Sequence, residues 1–410
     1  MEFSMSLNCV VIGGGAAGFF GAIACAQKNP LAQVTILEKT RQVLAKVRVS
    51  GGGRCNVTHS CFEPAQLVKN YPRGNKALLG PFHRFQPRDT IEWFERRGVI
   101  LKTEEDGRMF PITDTSQTII DCLTQEARKA KVNVKLESGI ERIEREEGAF
   151  KLFLSNGECL HADRLLLATG SHPLAHQWAA SLGHTIVPPV PSLFTFNIQN
   201  FSLKELAGIS VEQAEVKIDG TSLAQSGPLL ITHWGFSGPA ALKLSAWGAR
   251  DLHQKGYKGI FVINWISAFQ AERVISTLQQ WRKDFPRRSL GSENPFSLPR
   301  QLWKVLLTRA EIDTEKKWVN VDNASLNRLV QCLREDRYPI EGKSTYKQEF
   351  VTCGGIHLDE INFKTMESRK CPHLYFAGEV LDIDGVTGGF NFQNAWTTSW
   401  LAGQAMAIEE

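Results

Sequence analysis

The chain has 410 residues, 42% hydrophobic and 22% charged, with a formal net charge of +4. This composition describes a soluble globular protein of two or three domains and excludes a collagen-like, disordered or multi-span membrane chain. Nine cysteines without a CxxC pair or a Cys/His metal spacing read as reduced thiols of a cytoplasmic protein, with no metal centre.

An uncharged stretch runs from Cys9 to Ala26, long enough to raise the question of a membrane span. Three glycines in its middle argue against one continuous helix, since each costs about 1 kcal/mol there. The stretch divides instead into a β-branched strand "CVVI", a glycine turn and a helix "AAGFFGAIACAQ". Gly13, Gly15 and Gly18 fit GxGxxG. In that pattern the first glycine makes the tight turn, the second admits a pyrophosphate to the backbone of Gly13–Gly18 (with Ala16 and Ala17), and the third lets helix pack on strand. A second strand, "AQVTILEK", ends on Glu38, 20 residues beyond Gly18. A carboxylate there binds ribose hydroxyls and repels a 2′-phosphate, which favours FAD or NAD over NADP in this site.

The next segment, "KVRVSGGGRCNVTHS", is a second glycine-rich loop where an NAD dehydrogenase would continue with strand and helix. "PRDTIEWFERRG" and "DTSQTIIDCLTQEARKAK" have helical periodicity, and residues 132–162 alternate as a β-meander. "ADRLLLATGS" returns as a nucleotide-type strand, and "LYFAGEVLDIDGVTGGFNFQNAWTTSWLAG" brings a last glycine-rich turn. Remote segments meeting at one dinucleotide are how two-dinucleotide-binding-domain flavoproteins are built, so FAD is the expected cofactor. In that arrangement Glu379 serves the ribityl or pyrophosphate region. The helix after Gly388-Gly389 aims its N–H groups at the flavin edge. Asp382 and Asp384 read as structural caps.

The motifs "VIGGGAAG", "KVRVSGGGRCNVT", "GRMFP", "LLLATGS", "GPLLITHWGFSGPAALKLS", "VTCGGIHLDEIN" and "LYFAGEVLDIDGVTGGFNFQNAW" resemble the YhiN-type (BaiN/RdsA, aminoacetone-oxidase-like) bacterial NAD(P)/FAD-dependent flavoproteins. Two departures are "KVRVSGGG", for the family's usual Lys-(Ile/Leu)-Leu-type run, and "TTSWLAG", where Ser-Ser/Thr-Gly is common.

The resemblance implies an α/β fold: a Rossmann-like FAD domain of residues 1–190 plus 346–410, interrupted by a β-barrel-like insertion, 191–267, and a helical insertion, 268–345. It implies cofactor contacts from Lys39, Lys46, Ser50, Gly51, Gly52 and Arg54, from Ile140, and from Ala168, Thr169 and Gly170. Further contacts are expected from Gly378, Glu379, Gly388, Gly389, Phe390, Asn391 and Gln393. Candidate catalytic groups are Cys55 as a proton donor, with Asn56 beside it, and His233, next to Ser237, in a substrate pocket.

No second GxGxxG follows a strand, so NADPH or NADH is expected to dock transiently as electron donor. The resemblance implies reduction of an activated C=C bond, by a bile-acid ene-reductase or a ribosomal RNA dihydrouridine synthase. Ten Lys/Arg against one acid between Lys39 and Arg88, and seven against two between Arg282 and Arg309, interleaved with Trp281, Phe285, Phe296 and Trp303, favour RNA or another anionic substrate. The alternatives are a flavin oxidase or dehydrogenase of a small amine or acid, a reductase of another small-molecule enone, and an FAD-stabilised RNA-binding scaffold.

Overall fold

A computed structural model describes residues 6–344 and 351–408. The chain divides into one unit of residues 1–192 with 346–410 and another of residues 193–345; the expected boundary at 345/346 lies outside the described residues.

The first unit is built on a parallel sheet. Strand β1 is Asn8–Ile12, β2 is Gln33–Leu37, β3 is Asn133–Lys135, β4 is Arg164–Leu167 and β5 is Leu374–Phe376. They lie in the order β5-β4-β1-β2-β3, with the short antiparallel strands Glu367–Ser368 and Ile361–Asn362 beyond β5. β1 is central, pairing Cys9 with both Val34 and Arg164, and all its residues but Asn8 are buried. A strand covered on both faces reads as an unbroken apolar run, as "CVVI" does. "VNVK", read as the start of the meander, instead extends the parallel sheet as β3, pairing Thr35 with Asn133. The meander proper is the antiparallel sheet of 140–145, 150–154 and 159–162.

Helix α1 (Ala16–Lys28) lies against the C-terminal helix Phe390–Met406, at a contact between backbones. A Cβ on Gly403 would stand 2.3 Å from the Gly21 carbonyl, and one on Gly21 would stand 3.1 Å from the Ser399 carbonyl. Ala17 approaches the helix near Ala395, through Gly378, and Gly21 approaches it near Ser399 and Gly403. The two helices therefore run parallel, with their N-terminal ends on the same side.

The second unit is a closed barrel of six strands in the order 196–198, 235–237, 224–231, 210–218, 259–264 and 336–343. The helices Ala271–Asp284, Arg300–Arg309 and Asn323–Arg334 form one excursion between the last two strands, which pair Gly259 with Ile340 and Ile263 with Asp336. The barrel thus closes with a strand from the stretch expected to be a separate helical insertion. "DRYPIEGK" alternates buried and exposed residues, but Pro339 and Gly342 mask that signal in the sequence.

Among the described residues, no helix is long and apolar enough to cross a membrane, and no group of three or more His, Cys, Asp or Glu is placed to hold a metal ion.

Beside the β5 edge, Glu360 accepts from the Thr185 N–H at 2.9 Å and from the Lys370 ammonium at 2.5 Å. Burial opposes ionisation of this carboxyl, but those two donors outweigh it and hold it at about 2. A lowered folded-state value contributes stability above the unfolded value, here 4.5, and that contribution disappears as pH falls toward about 2. Glu360→Gln is therefore expected to be less stable than the wild type in urea titrations at about pH 6, with the difference vanishing near about pH 2.

Candidate flavin site

Three glycines at the end of β1 divide the work of the turn. Gly13 has φ +112° and lies so close to the "ATG" segment that a Cβ would meet the Ala168 carbonyl at 2.5 Å. A Cβ on Gly18 would sit 1.8 Å from the Gly13 carbonyl, so only glycine lets α1 approach the strand. Gly15 differs from both. Its backbone is ordinary extended chain (φ −92°), and a Cβ there would meet nothing within 4 Å. Gly15 is also the N-cap of α1, with no side-chain cap and no acid in the first turn. Unpaired N–H groups at a helix start beside open space on the glycine suit a phosphate.

Glu38 spends part of its carboxylate on the turn itself. Its Oε2 accepts from Gly14 N at 2.8 Å, and its Oε1 from the Thr40 N–H and hydroxyl at 2.9 and 2.8 Å. A carboxylate offers roughly four acceptor positions, which leaves capacity for a ribose hydroxyl. Lys39 approaches His172, Nζ to Nε2 at 2.6 Å, and burial followed by the Lys39 charge lowers that imidazole's basicity. The Ile140 side chain is buried within the meander, leaving its main chain as the group able to meet a ligand.

The "ATG" turn and the Gly378-Glu379 turn converge on the same place. Lys46, on helix α2 (Ala45–Gly53), bonds Glu379 Oε2 at 2.5 Å, and Glu379 Oε1 accepts from Thr352 N at 3.0 Å. A Cβ on Gly170 would lie 3.4 Å from Glu379 Oε2, and one on Gly378 would lie 3.2 Å from Cβ of Ala17 in the first turn of α1. Segments 333 residues apart in the chain therefore meet at one place, where Lys46, Gly170 and Glu379 lie together.

The second glycine-rich loop is not a simple loop. It forms α2, which breaks at Ser50 (ψ 148°) and continues through left-handed Gly51 and Gly52. Cys55 follows with φ +62° and no exposed surface. Burial pushes its thiol up to about 12, with Ser50 only partly offsetting this. It holds its proton at neutral pH but presents no atom to a ligand. Arg54 is taken by acids, Glu104 at 2.6 Å and Asp114 at 3.6 Å, with its guanidinium over the Phe110 ring.

The C-terminal helix, α3 (Phe390–Met406), begins at left-handed Gly389 with no side-chain cap. Its start is fixed by Asn56, expected as a catalytic candidate, and by Asn391 and Gln393, expected to touch the cofactor. The Asn56 amide accepts from Gly389 N at 2.9 Å and donates to the Thr58 and Met109 carbonyls at 3.0 and 3.2 Å. Asn391 bonds both the N–H and the carbonyl of Gly385. Gln393 is fully buried, accepting from Thr58 and Thr90 and donating to Thr397. These three amides position the helix start, and its N–H groups are what remain for a ligand. Phe390 stacks on His59, and its carbonyl accepts from Tyr71 at 2.6 Å.

Sequence reasoning missed Thr58, Tyr71, Thr90 and Arg73. Arg73 clasps the fully buried Asp384, which also accepts from Ser192 at 2.8 Å. His233 belongs to the barrel unit, exposed on the turn before strand 235–237.

The charge run from Lys39 to Arg88 is partly cancelled. Arg41, Lys46, Arg54 and Arg73 pair with Glu137, Glu379, Glu104 and Asp384. Lys69, Lys76, Arg84 and Arg88 are exposed, two of them on the helix Asn75–Arg84. In the second basic run, Trp303 and Phe296 are core residues and not a stacking surface, because the apolar stripe of helix 300–309 is what packs the helical excursion.

Residues 7–405 match the family described as HI0933-like protein Rossmann domain. The chain belongs to the HI0933-like family. It is 31% identical to the ribosomal RNA dihydrouridine synthase of Escherichia coli, over 97% of each chain. It is 27% identical to the 3-dehydro-bile acid delta(4,6)-reductase of Clostridium scindens, over 97% of this chain and 98% of that one. Among solved structures, 3-ketosteroid-delta4-(5alpha)-dehydrogenase from Rhodococcus jostii RHA1 shares the fold, with a TM-score of 0.52, 14% identity and coverage of 100% and 99%. This HI0933-like protein has the FAD-binding flavoprotein fold and is an FAD-dependent oxidoreductase.

The three glycines give a test that separates folding from binding. Gly15→Ala has room for its methyl group, so its thermal melting without cofactor should match that of the wild type. Its affinity for FAD should fall about ten- to a hundredfold, the worth of one bond to a charged group, read by equilibrium dialysis of the yellow flavin. Gly18→Ala should fail at the folding step instead.

Proposed function

We propose that this protein reduces an activated C=C bond, with FAD as its prosthetic group and NADPH or NADH as transient donor, and that its substrate is a uridine in large-subunit ribosomal RNA. The supporting observation is 31% identity, over nearly the full length, to a ribosomal RNA dihydrouridine synthase. Exposed Lys69, Lys76, Arg84 and Arg88, which have no acid partner among the described residues, suit the phosphates of such a substrate.

When bound, the flavin would supply hydride to the electron-poor carbon of the double bond, and a proton from solvent would quench the other carbon. The protein's own groups would bind and orient. Gly15 and the first turn of α1 would receive the pyrophosphate, Glu38 a ribose hydroxyl, and the main chain at Ile140 the adenine. Lys46, Glu379, the Ala168–Gly170 turn and the Ser50–Gly52 backbone would hold the middle of the cofactor. The start of α3 would offer its partial positive charge to the flavin, where a helix N-terminus favours negative charge by about 0.3–1 kcal/mol. Arg54 and Cys55 shape the loop and are not assigned a ligand contact. His233 lines a cleft of the barrel unit together with Trp234 and Glu341, and takes no part in the reduction proposed here.

A second reading, reduction of a small-molecule enone, is favoured by the bile-acid reductase at 27% identity. It uses the same cofactor chemistry and differs in the substrate. Deleting the gene and mapping dihydrouridine in large-subunit ribosomal RNA separates the two. Loss of one dihydrouridine, restored by the wild-type gene, is the expected result. An unchanged map rejects the RNA substrate and leaves the enone reading.

A further inference from the structure

The barrel unit contains a cleft of about 560 Å³ that the proposed reaction does not use. Its most conspicuous lining residue is Trp234, with 58% of its surface exposed. The turn that carries it is held firmly. Thr232 Oγ1 accepts from Trp234 N and Gly235 N at 3.3 and 3.2 Å and donates to the Gly235 carbonyl at 3.0 Å. The Trp234 carbonyl in turn accepts from Ile198 N at 2.9 Å. Gly235 cannot be replaced without meeting the Phe196 carbonyl at 2.1 Å. A large ring on a fixed turn loses little entropy when something stacks on it.

The remaining walls narrow the ligand class. Phe201 forms an apolar side, itself braced edge-on by Phe236 at 5.1 Å. Lys204, Asn200 and Glu341 also line the cleft, and their side chains have no hydrogen-bond or ion-pair partner among the described residues. A bare phosphate or carboxylate would be opposed by Glu341, and a simple cation by Lys204. A steroid would leave both charges and the Asn200 amide unsatisfied. A nucleotide satisfies all of them. Its base stacks on the indole, an exocyclic amino group donates to Glu341 and Asn200, and its phosphate meets Lys204.

We infer that this cleft binds a nucleotide whose base carries an exocyclic amino group, held by stacking on Trp234 and by Lys204 and Glu341. The inference rests on the nucleotide-using reaction proposed above. Uridine lacks such an amino group, so the occupant is not the base being reduced. Two sources share this chemistry: an unpaired residue flanking the target in RNA, and the adenosine phosphate portion of the nicotinamide donor.

The test uses the full-length FAD-loaded protein at low salt, with labelled hexacytidine and hexauridine in fluorescence anisotropy and 2′,5′-ADP in calorimetry. The wild type should bind hexacytidine at least about fivefold more tightly than hexauridine if the occupant is RNA, or bind 2′,5′-ADP if it is the donor. Trp234→Leu should weaken whichever ligand binds by about five- to a hundredfold. Glu341→Ala should abolish the cytidine preference or weaken 2′,5′-ADP. Both positions are exposed, so melting temperature and flavin content should stay at wild-type values. Binding of neither probe, or binding unaltered by Trp234→Leu, overturns the inference. Because these measurements do not read dihydrouridine, they can fail while the uridine assignment stands, and the reverse.

Discussion

The first unit depends on one packing constraint, the parallel contact of α1 with α3 through glycine backbones. With Gly21 and Gly403 in place, the helix axes come close enough for the Gly21 carbonyl to touch the α3 backbone. Parallel helices with adjacent starts present two sets of unpaired N–H groups, and two positive dipole ends, on the same side. Like ends side by side repel, and neither start has a side-chain cap. An elongated polyanionic cofactor, held as proposed above, would answer both starts at once and so enter the electrostatic balance of this unit.

Polar side chains near the site fall into two groups by what they touch. Asn56, Asn391, Gln393 and Tyr71 end on the main chain or on buried hydroxyls, and their bonding capacity is used in fixing where α3 begins. Glu38, Lys46 and Glu379 bond one another or nearby main chain and keep bonding capacity to spare. Amides are suited to the first task, since an amide both donates and accepts without the desolvation cost of a buried charge. The one buried charge in that framework, Asp384, is held by Arg73 and Ser192, as a buried carboxylate requires. Altering this support would shift the α3 start and the N–H groups it presents.

The glycine turn, α1 and the acid ending β2 could be read from sequence because each follows from residues within about ten positions of the next. The convergent segments were legible for the same reason, each carrying its own glycine signature. What could not be read was pairing across the chain. The bond from Thr58 to Gln393 spans 335 positions and that from Arg73 to Asp384 spans 311, and no local pattern announces either. Gln393 looked like a ligand contact because its partners Thr58 and Thr90 lie far away in the chain, whereas Asn391 turns back to Gly385 six residues before it, a bond that no residue pattern announces. The barrel's closing strand was hidden differently, by a proline at a position where the local alternation was otherwise intact.

Charge is the quantity for which sequence counting was most misleading. A run of ten cations with one acid suggests a continuous positive surface, yet four of its cations reach acids elsewhere in the fold, and one of those pairs is buried. What remains is narrower: Lys76 and Arg84 on the helix Asn75–Arg84, Lys69 and Arg88 on the segments flanking it, and Lys39 and Arg48, which bond His172 and Gln117. A patch of that size neutralises few phosphates, and each neutralised phosphate adds about one unit to the salt slope of binding. An RNA substrate, as proposed above, would then draw on contacts that are not electrostatic, above all on exposed aromatic surface. The second basic run does not provide that surface with Trp303 and Phe296, which lie in the core. The exposed indole of Trp234 is a group of suitable size for it under the inference drawn above.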